Sequence, residues 1–483
     1  MLSVRFLLRF AGMAVVILQA RLLHPADFGI FAMSMSVVGL ADVLCNFQVG
    51  TVLIRMEDPS DDHLHTAFTL GLLRGLLVAA VLILTAPLTA LLVNSPETAA
   101  VIAAMSVLPL IDSLRSARMI LYERDIDFSR ENVTRLVQAV GTWVATIALA
   151  YIYQNYWALV GGVIAGRAAG VLLSYGLAPV LPRMTLRHAR ALFGFSGWMM
   201  GAAVINYICE RAETLILARV LGMRSLGIYE MGYNLSATVV FEISDIFIRV
   251  LYPGFSRQAG DIEKLRLSFA ESQAIIFDVV LPFGVGLALV APELVVVLTG
   301  ERWLGIVPVI SIIAPFLALF SLHRSFPALM MALNKPKVMA AQRAVMLGVR
   351  TPLLAAGAIW FRLIGFTVAR AFDGLIDLCM SLAIIRRELS LSYSSMLVRL
   401  WLPLSAVTCM SIAVYGLGMY IARHDITLST WALLIVKILC GVVVYTLTHV
   451  ALWALSGRPK FGLEYRLMEM MRGRQHQQSA DLS

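Results

Sequence analysis

Long apolar segments follow one another along nearly the whole chain, and they restrict its fold more than any other feature. At roughly twenty residues per membrane-spanning helix, we count about fourteen candidate spans. They lie near 4–22, 27–49, 66–93, 98–120, 133–153, 157–178, 193–217, 226–250, 269–291, 304–332, 338–360, 363–385, 396–421 and 429–455. Because a bilayer offers the backbone no hydrogen-bond partners, such segments are expected to cross it as α-helices. The sequence therefore predicts an all-α polytopic membrane protein.

A short motif near the N-terminus occurs a second time. Ala20–Phe31 reads ARLLHPADFGIF, and Ala218–Tyr229 reads ARVLGMRSLGIY, at an offset of about 198 residues. A fainter echo relates Arg167 to Arg370. Repeats within a chain of apolar spans are typical of secondary transporters. Six spans in each copy would give both copies the same orientation across the membrane.

The repeat predicts five parts of the chain. They are an N-terminal six-helix lobe (1–180), a cytoplasmic linker (181–192), a C-terminal six-helix lobe (193–390), two additional transmembrane helices (391–456) and a cytoplasmic tail (457–483). We expect the two parallel lobes to surround a central cavity.

The basic charge of the chain is explained by membrane topology. The formal net charge is +9. With the N-terminus in the cytoplasm, the inner segments hold about 25 Lys and Arg residues and the outer loops about 6, as the positive-inside rule requires. This distribution predicts two cytoplasmic termini and gives no indication of nucleic-acid binding. Arg5 and Arg9 shorten the first apolar segment, which resembles a signal peptide, but no small-residue cleavage site follows, so we expect a retained helix.

Several acidic residues fall inside the predicted spans, where charge is costly. On span eight, Glu242 and Asp245 share one helical face with Asn234 and Thr238. Such a face lines a cavity or makes hydrogen bonds to neighbouring helices, and both interpretations stay open. The candidates for ion coupling or charge pairing are Asp42, Glu213, Glu242 and Asp245.

The spans also contain basic residues: Arg74, Arg115, Arg167, Arg211, Arg324, Arg350, Arg370 and Lys437. Asp112 is a neighbour for Arg115, whereas three of the arginines (Arg167, Arg324 and Arg350) have no acid within one helical turn. The guanidinium fork binds two phosphate oxygens at once. A surplus of arginine therefore favours an anionic, phosphorylated substrate.

Motifs of catalysis are missing from the sequence. It has no P-loop, no nucleotide-binding glycine pattern, no HExxH and no Cys/His metal spacing. Asp61, Asp62, His63 and His65 form a polar cluster that is more typical of a solvated loop than of a metal site. We therefore expect no enzyme activity, no catalytic residues, no cofactor and no metal.

Several segments together resemble the bacterial polysaccharide (O-antigen) flippases of the multidrug/oligosaccharidyl-lipid/polysaccharide exporter superfamily. These segments are Ala20–Met33, Gly39–Arg55 (GLADVLCNFQVGTVLIR), Tyr122–Val133 (YERDIDFSRENV), Asn155–Gly162 (NYWALVGG), Ala212–Ser236 and Val250–Gln258 (VLYPGFSRQ). The resemblance extends to about Ser390. The chain departs from it at Asn46–Gly50, where such flippases usually have a Phe-Gly dipeptide.

This resemblance implies a transporter of the bacterial inner membrane. Such proteins flip polyprenyl-diphosphate-linked oligosaccharide from the inner to the outer leaflet by alternating access, for exopolysaccharide or lipopolysaccharide synthesis. The implied partners are the lipid-linked oligosaccharide, membrane lipids and a polysaccharide polymerase. Arg21 matches an arginine that holds the diphosphate in related lipid II flippases. Together, the resemblance and the spacing nominate Arg21, Arg167, Arg211 and Arg324 for the diphosphate and sugar.

Two other functions remain as alternatives. A cation-coupled multidrug exporter has the same fold but favours a more acidic cavity. A membrane O-antigen polymerase or ligase needs a long outer loop for its active site, and the predicted outer connections are short.

Overall fold

The structure is a computed structural model that describes residues 2–45, 49–56, 59–125, 127–180, 182–189, 197–258, 260–392, 398, 400–425 and 428–457. Within these ranges the regular elements are all helices. The predicted all-α fold is therefore confirmed. Except for Gly457, the predicted tail lies outside the described residues, as does part of the predicted linker.

The described residues contain seventeen α-helices and one 3₁₀-helix. They are α1 (Leu2–Leu22), α2 (Pro25–Leu44), α3 (Val49–Arg55), α4 (Asp61–Val93), α5 (Pro96–Met105), α6 (Val107–Ser113), α7 (Met119–Arg124), α8 (Ser129–Tyr153), α9 (Trp157–Leu177), α10 (Gly197–Gln258), α11 (Ile262–Leu289), α12 (Ala291–Leu298), the 3₁₀-helix Glu301–Ile306, α13 (Val307–Phe320), α14 (Phe326–Ala332), α15 (Pro336–Leu389), α16 (Trp401–Arg423) and α17 (Thr430–Leu455).

The two longest helices each contain a sharp bend. In α10 the bend lies at Gly222, whose φ of 81° is readily adopted only by glycine. In α15 it lies at Phe361 and Arg362, where Arg362 has a φ of 53°. Each long helix therefore consists of two helical parts, 197–221 and 223–258 in α10, and 336–360 and 363–389 in α15.

These bends reconcile the helices with the predicted spans. Each predicted span has a helical counterpart in the described residues once the bends are counted as boundaries. In the part of the chain that the structure describes, nine helical segments are long and apolar enough to cross a bilayer, two of them being runs of consecutive helices. The apolar part of α1 is shorter, Ala11–Leu22, in line with the prediction that Arg5 and Arg9 shorten the first apolar segment. The chain is a multi-pass membrane protein.

The described residues pack into two compact units, Met1–Glu230 and Met231–Ser483. The boundary between these units falls within α10, whereas the predicted lobes meet at the linker 181–192. The compact units are defined by which helices touch each other, whereas the predicted lobes are defined by the repeat and by the direction in which each helix crosses the membrane. The boundaries of the predicted lobes stay a prediction.

Within the first unit, the two copies of the repeat touch each other at equivalent glycines. A methyl group added to Gly29 would lie 1.8 Å from the carbonyl oxygen of Met223. A methyl group added to Gly227 would lie 1.8 Å from the carbonyl oxygen of Pro25. Gly29 and Gly227 occupy the same place in the repeat, and so do Pro25 and Met223. The contact is therefore symmetric, and the absence of a side chain at both glycines is what lets the backbones meet.

Buried polar contacts hold the corner between α1 and α2. The carboxylate of Asp27 accepts a hydrogen bond from the backbone N–H of His24 at 2.8 Å, which caps the start of α2. It also accepts one from the backbone N–H of Tyr156 at 3.0 Å, in the turn between α8 and α9. Asp27 is only 8% exposed. One carboxylate therefore fixes two helical turns of the first unit.

The second unit has an aromatic core and a peripheral pair of helices. Phe255, Phe269 and Phe326 are buried together with aliphatic side chains from α14 and α15. The two additional helices, α16 and α17, pack against each other and against α11. The hydroxyl of Tyr445 on α17 donates to the carbonyl of Asp278 on α11 at 2.6 Å. This bond fixes α17 against the core of the unit.

Candidate functional site

In the first unit, Arg74 closes the C-terminal end of α2. Its guanidinium donates to the backbone carbonyls of Cys45 at 3.0 Å and Asp42 at 3.2 Å, and it forms an ion pair with the Asp42 carboxylate. The last carbonyls of a helix lack partners within the helix and carry partial negative charge. Arg74 therefore satisfies a helix end and a carboxylate at once. Half of the Asp42 side chain is exposed.

A second set of charges links α6, α8 and α9. Arg167 on α9 forms an ion pair with Asp112 on α6. Arg115 pairs with Glu131 on α8, which also accepts from Arg135 Nε at 2.8 Å. The sequence-based pairing of Asp112 with Arg115 is therefore wrong. Because α6 ends at Ser113, the two residues do not share a helical face, and each finds a partner on another helix.

Arg21 and Arg211 lie on the surface of the first unit. Arg21 is exposed in the last turn of α1, where a cation is favourable to the helix dipole. Arg211 is exposed on the 197–221 part of α10, with its guanidinium carbon 5.9 Å from the centre of the Tyr207 ring. Among the described residues, no carboxylate forms an ion pair with Arg211. Glu213, two residues further along, is partly buried.

In the second unit, the structure brings together two residues that the sequence nominated for different roles. Arg324 forms an ion pair with Asp245, and its guanidinium carbon lies 4.1 Å from the centre of the Phe241 ring. Both charged side chains are 26% exposed. Glu242, on the same helix as Asp245, is buried.

Two further arginines of the second unit share one carboxylate. Asp373 is fully buried. Its Oδ2 accepts from Arg350 Nε at 2.8 Å and from a terminal nitrogen of Arg370 at 3.1 Å. The three side chains carry a net charge of +1, and the carboxylate of Asp377 also acts on Asp373. Sequence reasoning placed all three in spans but did not nominate them, because Arg350 and Asp373 lie on different parts of α15.

A histidine and an aspartate form a neighbouring group. His323 lies in the turn between α13 and α14, with Nδ1 2.5 Å from the hydroxyl of Ser381 and Nε2 3.6 Å from Asp377 Oδ2. Gln342 donates through Nε2 to Asp377 Oδ1 at 2.7 Å. Sequence reasoning predicted one uninterrupted span over 304–332, whereas the structure interrupts it at residues 321–325.

These pairings correct the predicted surplus of arginine. The structure gives Arg167, Arg324 and Arg350 a carboxylate from another helix or helical part. Lys437 of α17 likewise lies 2.5 Å from Glu293 of α12. These three arginines have no acid within one helical turn, as predicted, but the inferred surplus is wrong because their carboxylate partners lie far away in the sequence. Within the described residues, Arg211 is an arginine nominated for the substrate that contacts an aromatic ring and forms no ion pair with a carboxylate.

The second unit also contains a largely apolar cavity of about 470 Å³ between α11, α16 and α17. Its walls include Phe283, Leu287, Met410, Val414 and Ile438. Lys437, which forms an ion pair with Glu293, also lines the cavity. An elongated hydrocarbon chain is the kind of ligand that such a surface accommodates.

A family model described as "Polysaccharide biosynthesis protein" matches residues 18–308, more than half of the chain. The chain belongs to this family. The resemblance stated from sequence segments is thereby confirmed. The matched range contains Arg21, Arg167, Arg211 and Glu242, while Arg324 lies beyond it.

Named relatives extend over most of the chain. The lipopolysaccharide biosynthesis protein WzxC of Escherichia coli (strain K12) is 24% identical over 412 residues, which are 84% of this chain and 84% of WzxC. The succinoglycan biosynthesis transport protein ExoT of Rhizobium meliloti (strain 1021) is 24% identical over 297 residues, 61% of this chain and 60% of ExoT. Both relatives are named for polysaccharide biosynthesis, and ExoT is also named for transport.

A solved structure shows the same fold. The lipid II flippase MurJ in an inward closed conformation superposes with a TM-score of 0.71 and 14% identity, covering 94% of this chain and 98% of MurJ. At this identity the likeness establishes the architecture and leaves the function to other observations. It confirms the predicted exporter-type helical fold.

Proposed function

We propose that this protein flips a polyprenyl-diphosphate-linked oligosaccharide from the inner to the outer leaflet of the bacterial inner membrane, by alternating access. The observation that carries the proposal is the family match, supported by relatives that are named for polysaccharide biosynthesis and transport. The exported unit would serve exopolysaccharide or lipopolysaccharide synthesis. Both termini are proposed to be cytoplasmic, and a polysaccharide polymerase is the proposed partner.

The charged groups fit a diphosphate. A diphosphate needs several hydrogen-bond donors in a place that the membrane otherwise makes apolar. Arg211 is exposed and has no carboxylate partner among the described residues, so it is the arginine most readily engaged by an anion. Arg167 and Arg324 are each bound to one carboxylate. Their binding of a diphosphate would require exchange of one anionic partner for another, which suits reversible binding.

The acids then act as internal substitutes for the substrate. When no diphosphate is bound, Asp112 and Asp245 neutralise Arg167 and Arg324, which avoids an unpaired charge in the bundle. The apolar cavity beside α17 offers a surface for hydrocarbon, and the prenyl chain would otherwise remain in lipid. Arg21 remains a proposed diphosphate ligand on the basis of the family resemblance. It is exposed in the structure, and its equivalent in the second copy of the repeat is Arg219.

The experiment that tests the proposal is deletion of the gene in its host, followed by extraction and leaflet-restricted labelling of lipid-linked oligosaccharide. Accumulation in the inner leaflet, together with loss of surface polysaccharide, would support flipping and provide the substrate for identification. Normal polysaccharide with altered sensitivity to cationic drugs would replace the proposal with drug export. Accumulation of unpolymerised units in the outer leaflet would indicate a polymerase or ligase.

A further inference from the structure

The interruption between α13 and α14 brings a titratable side chain into the interior of the second unit. Residues 321–325 form turns between two helices that sequence reasoning joined into one span. Interrupted membrane helices commonly mark binding sites, because the break places polar groups at membrane depth. Here the break presents His323, whose side chain is 15% exposed, to Asp377 on α15, whose side chain is 14% exposed.

The hydroxyl of Ser381 lies beside one nitrogen of the ring. It can donate its single hydrogen either to the backbone carbonyl of Asp377 at 2.8 Å or to His323 Nδ1 at 2.5 Å. Its oxygen accepts a hydrogen bond from Gln342 Nε2 at 2.7 Å. Rotation of the hydroxyl therefore suits either tautomer of the neutral ring, and it also suits a ring that carries a hydrogen on Nδ1 and on Nε2.

The other nitrogen of the ring faces an anion. Nε2 lies 3.6 Å from Asp377 Oδ2, while Oδ1 of the same carboxylate accepts a hydrogen bond from Gln342. A ring protonated on both nitrogens is an imidazolium, and the nearby carboxylate favours this charged form. The imidazolium can donate to the Ser381 hydroxyl through Nδ1 and form an ion pair with Asp377 through Nε2. The geometry thus provides a place for one additional proton.

Two phenylalanine rings and several charged groups surround the His323 ring. Phe320 and Phe326 stack on it, with ring centres 4.6 and 5.6 Å from its own. The other charges that act on the ring are Arg324 and Arg343, and Asp373 acts on Asp377 from one turn away. From α11, the nearby polar group is the uncharged Gln273, which donates to Ser325. Burial opposes protonation of the ring most strongly, the carboxylate of Asp377 favours protonation, and the two cations oppose it. Because these influences have opposite signs, the site can both take up and release a proton.

We propose that His323 and Asp377 form a proton-binding site, and that the proton taken up there couples transport to a proton gradient. A proton from water binds the ring nitrogen that carries no hydrogen and is later released to water again, so no other reactant is needed. These are not the residues that the sequence nominated for coupling. The coupling rests on the proposed transport function, whereas the proton site does not.

The deciding experiment for the site needs no substrate. The protein, labelled with ¹³C,¹⁵N-histidine and held in lipid nanodiscs, is titrated from about pH 5 to 9, a window that brackets the ordinary histidine pKa. The His323 ring signals are assigned by their loss in His323→Gln. We expect a change from neutral to doubly protonated ring, and a midpoint at lower pH in Asp377→Asn, which lacks the counter-ion. Asp112→Asn, an ion-paired carboxylate of the first unit, is the matched control and should leave the midpoint unchanged.

Two results of the titration would overturn the site. One is a single protonation state of His323 over the whole range, and the other is an unchanged midpoint in Asp377→Asn. Thermal unfolding of each variant separates loss of the proton from loss of the fold. Should Asp377→Asn fail to fold, Gln342→Leu, which removes the donor to Asp377 and Ser381, provides the second variant and should also move the midpoint.

Coupling is tested separately, in proteoliposomes with a fluorescent monosaccharide on undecaprenyl diphosphate as the probe. An imposed pH gradient should stimulate flipping by the native protein, and the stimulation should be lost in His323→Gln while flipping without a gradient remains. Stimulation that persists in His323→Gln, or that follows a sodium gradient alone, would refute the coupling. If no flipping occurs under any condition, the proposed function fails, while the titration still decides the proton site.

Discussion

The contact between the two repeat copies makes a sharp prediction about Gly29 and Gly227. We expect Gly29→Ala to destabilise the protein, because the new methyl group would lie 1.8 Å from the carbonyl oxygen of Met223, whereas real Cβ atoms essentially never come closer than 3.0 Å. The difference, 3.0 minus 1.8, requires the two backbones to separate by at least 1.2 Å. Overpacking of this kind costs about 1–3 kcal/mol, and a backbone carbonyl cannot move aside as a flexible side chain can.

The matched control is Gly348→Ala, which lies within the 336–360 part of α15 and has no atom within 4 Å of the added methyl group. Alanine is the better helix former by up to about 1 kcal/mol, so this variant should be as stable as the native protein or more so. The measurement is thermal unfolding in detergent, followed by intrinsic fluorescence. Gly29→Ala should lower the unfolding temperature by several degrees relative to the control.

The double variant tests the symmetry of the contact. Gly227→Ala alone should cost about as much as Gly29→Ala, because its methyl group meets the carbonyl oxygen of Pro25 at the same distance. Once one substitution has separated the backbones, the second meets less resistance. The double variant should therefore lose less stability than the sum of the losses in the two single variants. Equal unfolding temperatures for Gly29→Ala and Gly348→Ala would refute the close contact. Unequal effects of Gly29→Ala and Gly227→Ala would refute its symmetry, and full additivity would refute a contact shared by the two glycines.

Three further predictions concern charged residues. Asp373→Asn should lower stability by about 3–5 kcal/mol, because two arginines lose their common buried carboxylate. The yield and the thermal unfolding of purified protein measure this loss, and native-like unfolding would contradict it. Arg211→Ala should reduce the amount of surface polysaccharide at least tenfold and leave the unfolding temperature unchanged. The exposed control, Arg302→Ala, should change neither quantity. Equal export by the two variants would show that Arg211 is not part of the site. The backbone N–H of Lys264 donates to the carboxylate of Asp261, which caps α11, and this bond lowers the pKa of that carboxyl. The cap therefore stabilises the fold above the pKa that Asp261 has in the unfolded chain, and this stabilisation is lost as the pH falls through its pKa in the folded protein. The difference in unfolding temperature between native protein and Asp261→Ala should therefore shrink below about pH 4, and a constant difference would argue against the cap.

The sequence by itself determined the helical architecture and the family. Runs of apolar residues specify membrane helices through local physics, since each helix satisfies its own backbone hydrogen bonds. The bends at Gly222 and near Arg362 fall between predicted spans, so even two continuous long helices conform to the pattern. The motif repeated at Gly29 and Gly227 was visible as letters, but their mutual contact was not, because similarity between two segments does not say where they lie in space.

Only the tertiary structure decided which charges meet. Neighbours along one helix suggested that Asp112 serves Arg115 and that Arg167 has no acid, yet Asp112 binds Arg167 from another helix. The periodicity of a helix reveals which residues share a face and not which helix that face meets. The same reason hid the pairing of His323 with Asp377, which depends on an interrupted helix and on the packing of α15 against it. Spacing along the chain thus specifies the elements, whereas ion pairs between elements depend on their packing in three dimensions.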